Sequence, residues 1–126
     1  MALRISGVLV ILIFCSLVGV FAADISGKWT AEFDSQVGQQ KYTYEFTVKG
    51  TNFAGKASAN IAGTDMESEI VDGKIDGDKI SFTENLDYQG MALTITYTGT
   101  VSGNEMNLSR DVGGQGGETF TAKRAK

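Results

Sequence analysis

The chain has 126 residues, 42% hydrophobic and 21% charged, with 16 glycines, one cysteine, no histidine and no proline. Fifteen acidic against eleven basic residues give a net charge of −4, which argues against a nucleic-acid partner, because phosphate binding needs a basic surface. Without histidine, and with its one cysteine at Cys15, residues 23–126 lack the usual zinc and copper ligands, the imidazole base and the thiol nucleophile. No metal and no cofactor is expected.

Residues 1–22, MALRISGVLVILIFCSLVGVFA, set Arg4 before an apolar run from Gly7 to Val20 that ends in small residues. That is the pattern of a secretory signal peptide, with cleavage after Ala22. An uncleaved membrane anchor is the alternative, because the run nearly reaches the length that spans a hydrocarbon core of about 30 Å. Cys15 follows the bulky Phe14, so it does not suit lipid attachment. With Arg4 removed, ten Lys and Arg face fifteen Asp and Glu, a net charge of −5. Residues 23–126 therefore read as one secreted domain, extracellular or periplasmic and free of the membrane, whose core must hold without disulfides.

Beyond Ala23 no helical periodicity outlasts a single turn, and strand signals dominate. The first strand is GKWTAEF, with Trp29, Ala31 and Phe33 on one face. Three related stretches follow: VKGTNF (48–53), IDGDKI (75–80) and VSGNEM (101–106), recurring after 27 and then 26 residues. Such a repeat marks one supersecondary unit used several times. Each reads as a hairpin closed by Gly50-Thr51, Gly77-Asp78 or Gly103-Asn104, glycine supplying the positive φ of a type II′ turn. IDGDKI also suggests a calcium loop, but the equivalent turns carry Thr and Asn where it carries Asp78, and a distal acidic ligand at the required spacing is missing.

These turns fix a register. Val48 faces Phe53, Ile75 faces Ile80 and Val101 faces Met106 in a first inward layer. Alternation along strands then gives a second layer of Phe46, Gly55, Gly73, Phe82, Gly99 and Leu108, large residues opposite glycines. The third is Tyr44, Ala57, Val71, Glu84, Tyr97 and Arg110, and the fourth Tyr42, Ala59, Glu69, Leu86, Ile95 and Val112. The last strand, ETFTAKR, turns Phe120, Ala122 and Arg124 to one side. The expected fold is all-β, an eight-stranded antiparallel up-and-down meander closed into a barrel, since closure removes exposed edges. All three tight turns fall at one end; longer loops, DSQVGQQK, NIAGTDM, ENLDYQG and DVGGQGGE, are expected at the other.

Gly27 and Trp29 on the first strand and Arg124 on the last resemble the signature of calycin barrels, the lipocalins and avidin-like proteins, in which a terminal basic residue lies across the indole. The chain is also similar to small β-barrel domains found alone or attached to secreted bacterial enzymes. The resemblance implies a closed base at Gly27, Trp29 and Arg124 and a ligand held at the open end. With a single tryptophan, at the base, it does not imply biotin binding.

Arg110 and Glu84 share an inward layer with Tyr44 and Tyr97, so they pair with each other or meet a polar ligand, because a lone buried charge costs several kcal/mol. Tyr42, Tyr44, Tyr88 and Tyr97 offer flat faces and hydroxyls to a sugar or aromatic ring, or pack as core and rim. The ligand-binding candidates are thus Tyr42, Tyr44, Glu84, Tyr88, Tyr97 and Arg110. The expected function is non-catalytic binding of a small or extended ligand, a saccharide among the candidates, at the mouth. A protein-interaction or inhibitor domain with a filled barrel is the alternative. A weak glycoside hydrolase using Glu69 and Glu84 as inward carboxylates comes third, with no serine elbow or phosphate loop to suggest other chemistry.

Overall fold

The computed structural model describes residues 23–125; the segment read as a signal peptide lies outside the described residues. Eight antiparallel strands follow one another: β1 Gly27–Ser35, β2 Gly38–Lys49, β3 Asn52–Ile61, β4 Thr64–Asp76, β5 Lys79–Tyr88, β6 Met91–Ser102, β7 Glu105–Val112 and β8 Thr119–Arg124. Each pairs with its neighbours in chain order, and β1 meets β8, so the sheet is a closed up-and-down barrel with no helix among the described residues. The closing seam is narrow. Only Trp29↔Arg124 and Thr30↔Lys123 pair across it, and above them the Phe33 and Phe120 rings stack at 4.1 Å.

The turns at one end form as the glycine pattern predicts, with φ of 62° at Gly50, 63° at Gly77 and 62° at Gly103. They hold the expected pairs Val48↔Phe53, Ile75↔Ile80 and Val101↔Met106. This end is the base. The interior above it is aromatic, with Phe46, Phe53 and Phe82 meeting edge to face and Phe82 stacked on Tyr97 at 4.3 Å. Glycine makes room for these side chains and for the strands beside them: a Cβ on Gly73 would lie 2.5 Å from the Phe53 ring, and one on Gly55 1.9 Å from the Glu45 carbonyl oxygen.

Two expectations are corrected. The first concerns β4, where Asp72 is an extra residue at a φ of 55° and shifts the register against both β3 and β5. A bulge of one residue exchanges the two faces of the strand beyond it. Ile70 and Ser68 therefore point inward, Glu69 is exposed, and Val71 leaves the third layer. Since Ile70 rather than Glu69 lies opposite Glu84's strand position, Glu69 and Glu84 occupy opposite faces of the sheet. The second concerns the far end, where three of the four expected loops are two-residue turns, Gln36-Val37, Ala62-Gly63 and Gln89-Gly90. The latter two have positive φ at both residues, the geometry of type I′ turns that suits the twist of paired strands. Only residues 113–118 form a longer connection.

Candidate functional site at the mouth of the barrel

Tyr42, Tyr44, Glu84, Tyr97 and Arg110 converge, as their strand parity predicts, in the half of the barrel away from the base, and all five are buried. Glu84 is fully buried and accepts three hydroxyl hydrogens: Tyr97 to Oε1 at 2.7 Å, Tyr42 to Oε2 at 2.9 Å and Ser68 to Oε2 at 2.6 Å. Since the one Tyr97 hydroxyl hydrogen goes to Glu84, Tyr44 is the donor in the 3.0 Å contact between the two phenols. The Arg110 guanidinium stands 3.9 Å from Glu84 and reaches it mainly through those hydroxyls, Nη1 donating to Tyr97 at 3.1 Å and to Tyr42 at 3.3 Å. An ion pair bridged by phenols meets the requirement that a buried charge be both paired and hydrogen-bonded.

Three residues of this cluster escape the sequence pattern. Ser68 is turned inward by the Asp72 bulge. Gln40, with the same parity as Tyr42, accepts from Arg110 Nη2 at 3.1 Å and donates to the Ser35 hydroxyl at 2.8 Å. Glu118, ahead of β8, accepts from Arg110 Nε at 2.7 Å. Arg110 also lies against rings, its Cζ 4.8 Å from the Phe33 centroid and 5.4 Å from that of Tyr42. Burial opposes its charge, but the Tyr97 and Tyr42 oxygens outweigh that and hold the guanidinium above its ordinary value. Burial first, then Glu84, pushes the Tyr42 phenol up; burial raises Tyr44 and Tyr97 too, reinforced by neighbouring tyrosines and Glu84. All three phenols are thereby kept as neutral donors.

Above Arg110 the mouth opens into a cavity of about 500 Å³. Its walls are apolar at Ile61, Leu86, Leu93 and Ile95, and its rim carries Gln36, Gln115 and Asp34. Tyr88 lies here, half-buried and apart from the other tyrosines; Arg110 is the only one of the five converging residues that lines this cavity. The expected mouth lined by all of them is therefore corrected to one in which Tyr42, Tyr44, Glu84 and Tyr97 form the sealed layer beneath. Four of the five guanidinium N–H groups are committed to Glu118, Tyr42, Tyr97 and Gln40, leaving one on Nη2 with no partner among the described residues.

Gly27, Trp29 and Arg124 come together at the base. Trp29 is fully buried and donates from Nε1 to the Ile25 carbonyl at 2.9 Å. Arg124 covers the indole at 4.5 Å and donates to the Ser26 and Asp24 carbonyls at 2.9 and 2.7 Å, and Gly27, which starts β1 directly after Ser26, lies beside its guanidinium. A wider groove of about 650 Å³ crosses the outer face of β5–β7, lined by half-buried Ser81 and exposed Thr98, Asn107 and Ser109. No buried ionisable group reaches that groove, so the chemistry of the molecule concentrates at the mouth. Compared with known proteins, the chain matches no family model, no curated protein and no solved structure.

Proposed function

We propose that this protein is a secreted, non-catalytic binding module that takes a small ligand, or the end of an extended one such as a saccharide, in the mouth of the barrel. The observation that carries this is the cavity of about 500 Å³ floored by a buried guanidinium that keeps one N–H free. A concave apolar pocket with a few convergent polar groups is the usual form of a ligand site. Gln36, Gln40, Gln115 and Glu118 add the amide and carboxylate groups that hydrogen-bond to vicinal hydroxyls, and Tyr88 adds a ring at the rim. The absence of catalysis is supported by Glu84, which is sealed beneath Arg110 with both oxygens engaged, and by the outward direction of Glu69. Kinship with the calycin barrels is supported by the closed eight-stranded meander and by the cation stacked on the buried Trp29 at its base.

A titration of the folded chain with neutral mono- and oligosaccharides, followed by amide NMR, tests the proposal. Saturable shifts are expected at Gln40, Tyr88 and residues 113–118, with affinity weakened several-fold by Tyr88→Ala, about the 0.5–1.5 kcal/mol of a stacked aromatic contact. Shifts confined to the outer groove, or none across the panel, would overturn it.

A second reading, a protein-interaction domain, is favoured by the filled lower barrel and by two exposed apolar side chains at the mouth end, Val37 on its turn and Met91 at the start of β6, which are 47% and 64% exposed. It predicts that a protein partner, and no saccharide, protects these two side chains.

A further inference from the structure

Glu118 is held in place by its backbone. Its carbonyl accepts the Arg110 N–H at 3.0 Å, and Gly117 packs so closely that a Cβ there would lie 2.2 Å from the Arg110 carbonyl oxygen. The preceding loop is stapled by Asp111, which accepts from the Gly114 and Gly116 amides at 2.8 Å each. The carboxylate is thus delivered to one spot, the Arg110 Nε–H, where its second oxygen receives no hydrogen from any described residue.

Charge decides what can join it. Arg110 is flanked by two carboxylates, Glu84 below and Glu118 beside it, and Asp34 stands on the rim. An incoming carboxylate meets that repulsion and finds a single free N–H, too little for a paired contact. A hydroxyl does better, accepting from Arg110 Nη2 and donating to the free oxygen of Glu118.

Resting on the mouth being the ligand site, we infer that Glu118 sets its selectivity: it admits neutral, hydroxyl-bearing ligands and rejects carboxylates, and its removal converts the same cavity into a carboxylate site on Arg110. Without it, Arg110 has two N–H groups to offer a carboxylate, the Nε–H that Glu118 now occupies and the free one on Nη2, where the unsubstituted protein has one. The apolar walls then accommodate a ring.

Benzoate and benzyl alcohol, titrated by calorimetry into the full chain, Glu118→Ala and Glu118→Gln, make the test. Benzoate is expected to bind Glu118→Ala at least about tenfold more tightly than the unsubstituted protein, the equivalent of one charge-assisted hydrogen bond, and Glu118→Gln to fall between them. Benzyl alcohol should bind Glu118→Ala several-fold more weakly, because its hydroxyl loses the carboxylate that accepts from it. The Arg110 Nε–H resonance should shift with benzoate in Glu118→Ala, a readout that does not depend on further substitution. Equal benzoate affinity in all three proteins, or a gain in Glu118→Ala without a shift at Arg110 Nε, would overturn the inference. Failure of every neutral saccharide to bind the unsubstituted protein would instead refute the proposed function and leave the benzoate result standing.

Discussion

Glu84 accepts hydrogens from three hydroxyls and is the buried counter-charge of Arg110, so its substitution reaches the whole cluster. Glu84→Gln leaves the guanidinium buried with only Glu118, 20% exposed, to balance it, and gives Tyr42, Tyr97 and Ser68 an amide with one acceptor oxygen. Breaking a buried pair by removing one partner costs about 3–5 kcal/mol, so chemical denaturation should show a loss of that size. Glu84→Gln combined with Arg110→Met should cost less than the sum of the two single changes, because the stranded charge is gone. Additive losses would mean that the two residues do not act as a unit.

Among the elements, β3 and β4 show the two ways glycine and its neighbours shape the interior. Gly55 on β3 lets β2 approach so closely that Gly55→Ala must push the Glu45 carbonyl aside, a backbone shift expected to cost at least about 2 kcal/mol and to lower the melting temperature by about 10 °C. An unchanged melting temperature would deny the close approach. On β4 the sequence could be followed inward from the Gly77 turn only as far as Gly73. The Asp72-Gly73 pair looks like ordinary alternation, yet Asp72 adopts positive φ, and the strand beyond it presents its other face. A warning was present: the unbulged register would have placed Glu69 inside, while Ile70 and Val71 are both apolar and fit either face. The mouth turns were illegible for a similar reason. Ala62 and Gln89 take the positive φ that a type I′ turn demands, and neither residue type advertises it. Parity was enough to gather Tyr42, Tyr44, Glu84, Tyr97 and Arg110, since they sit on strands with regular turns at the base. It had nothing to say about Glu118, which is fixed by a loop.

At the scale of the whole molecule, three of the four tyrosines are sealed inside with phenols held above their ordinary value of 10.0. In the folded barrel they keep their protons where the unfolded chain releases them. Their contribution to stability is therefore intact below pH 10 and is lost as pH rises above it, by up to about 1.4 kcal/mol per pH unit for each tyrosine. Phenolate absorbance from these three should rise only together with the loss of the folded circular-dichroism signal. Ionisation of all four tyrosines while that signal persists would contradict the sealed interior.

Both ends of the described chain leave from the base: the Ala23 amide bonds to the Gly77 carbonyl and the Arg124 amide to that of Asn104, each at 2.9 Å. Both described ends thus lie at the floor of the vessel, on the side opposite the aperture. A fluorophore or immobilising tag joined next to Ala23 or Arg124 should consequently leave the proposed ligand capture equally unimpaired, whereas an insertion at Gln89-Gly90 would stand in the doorway.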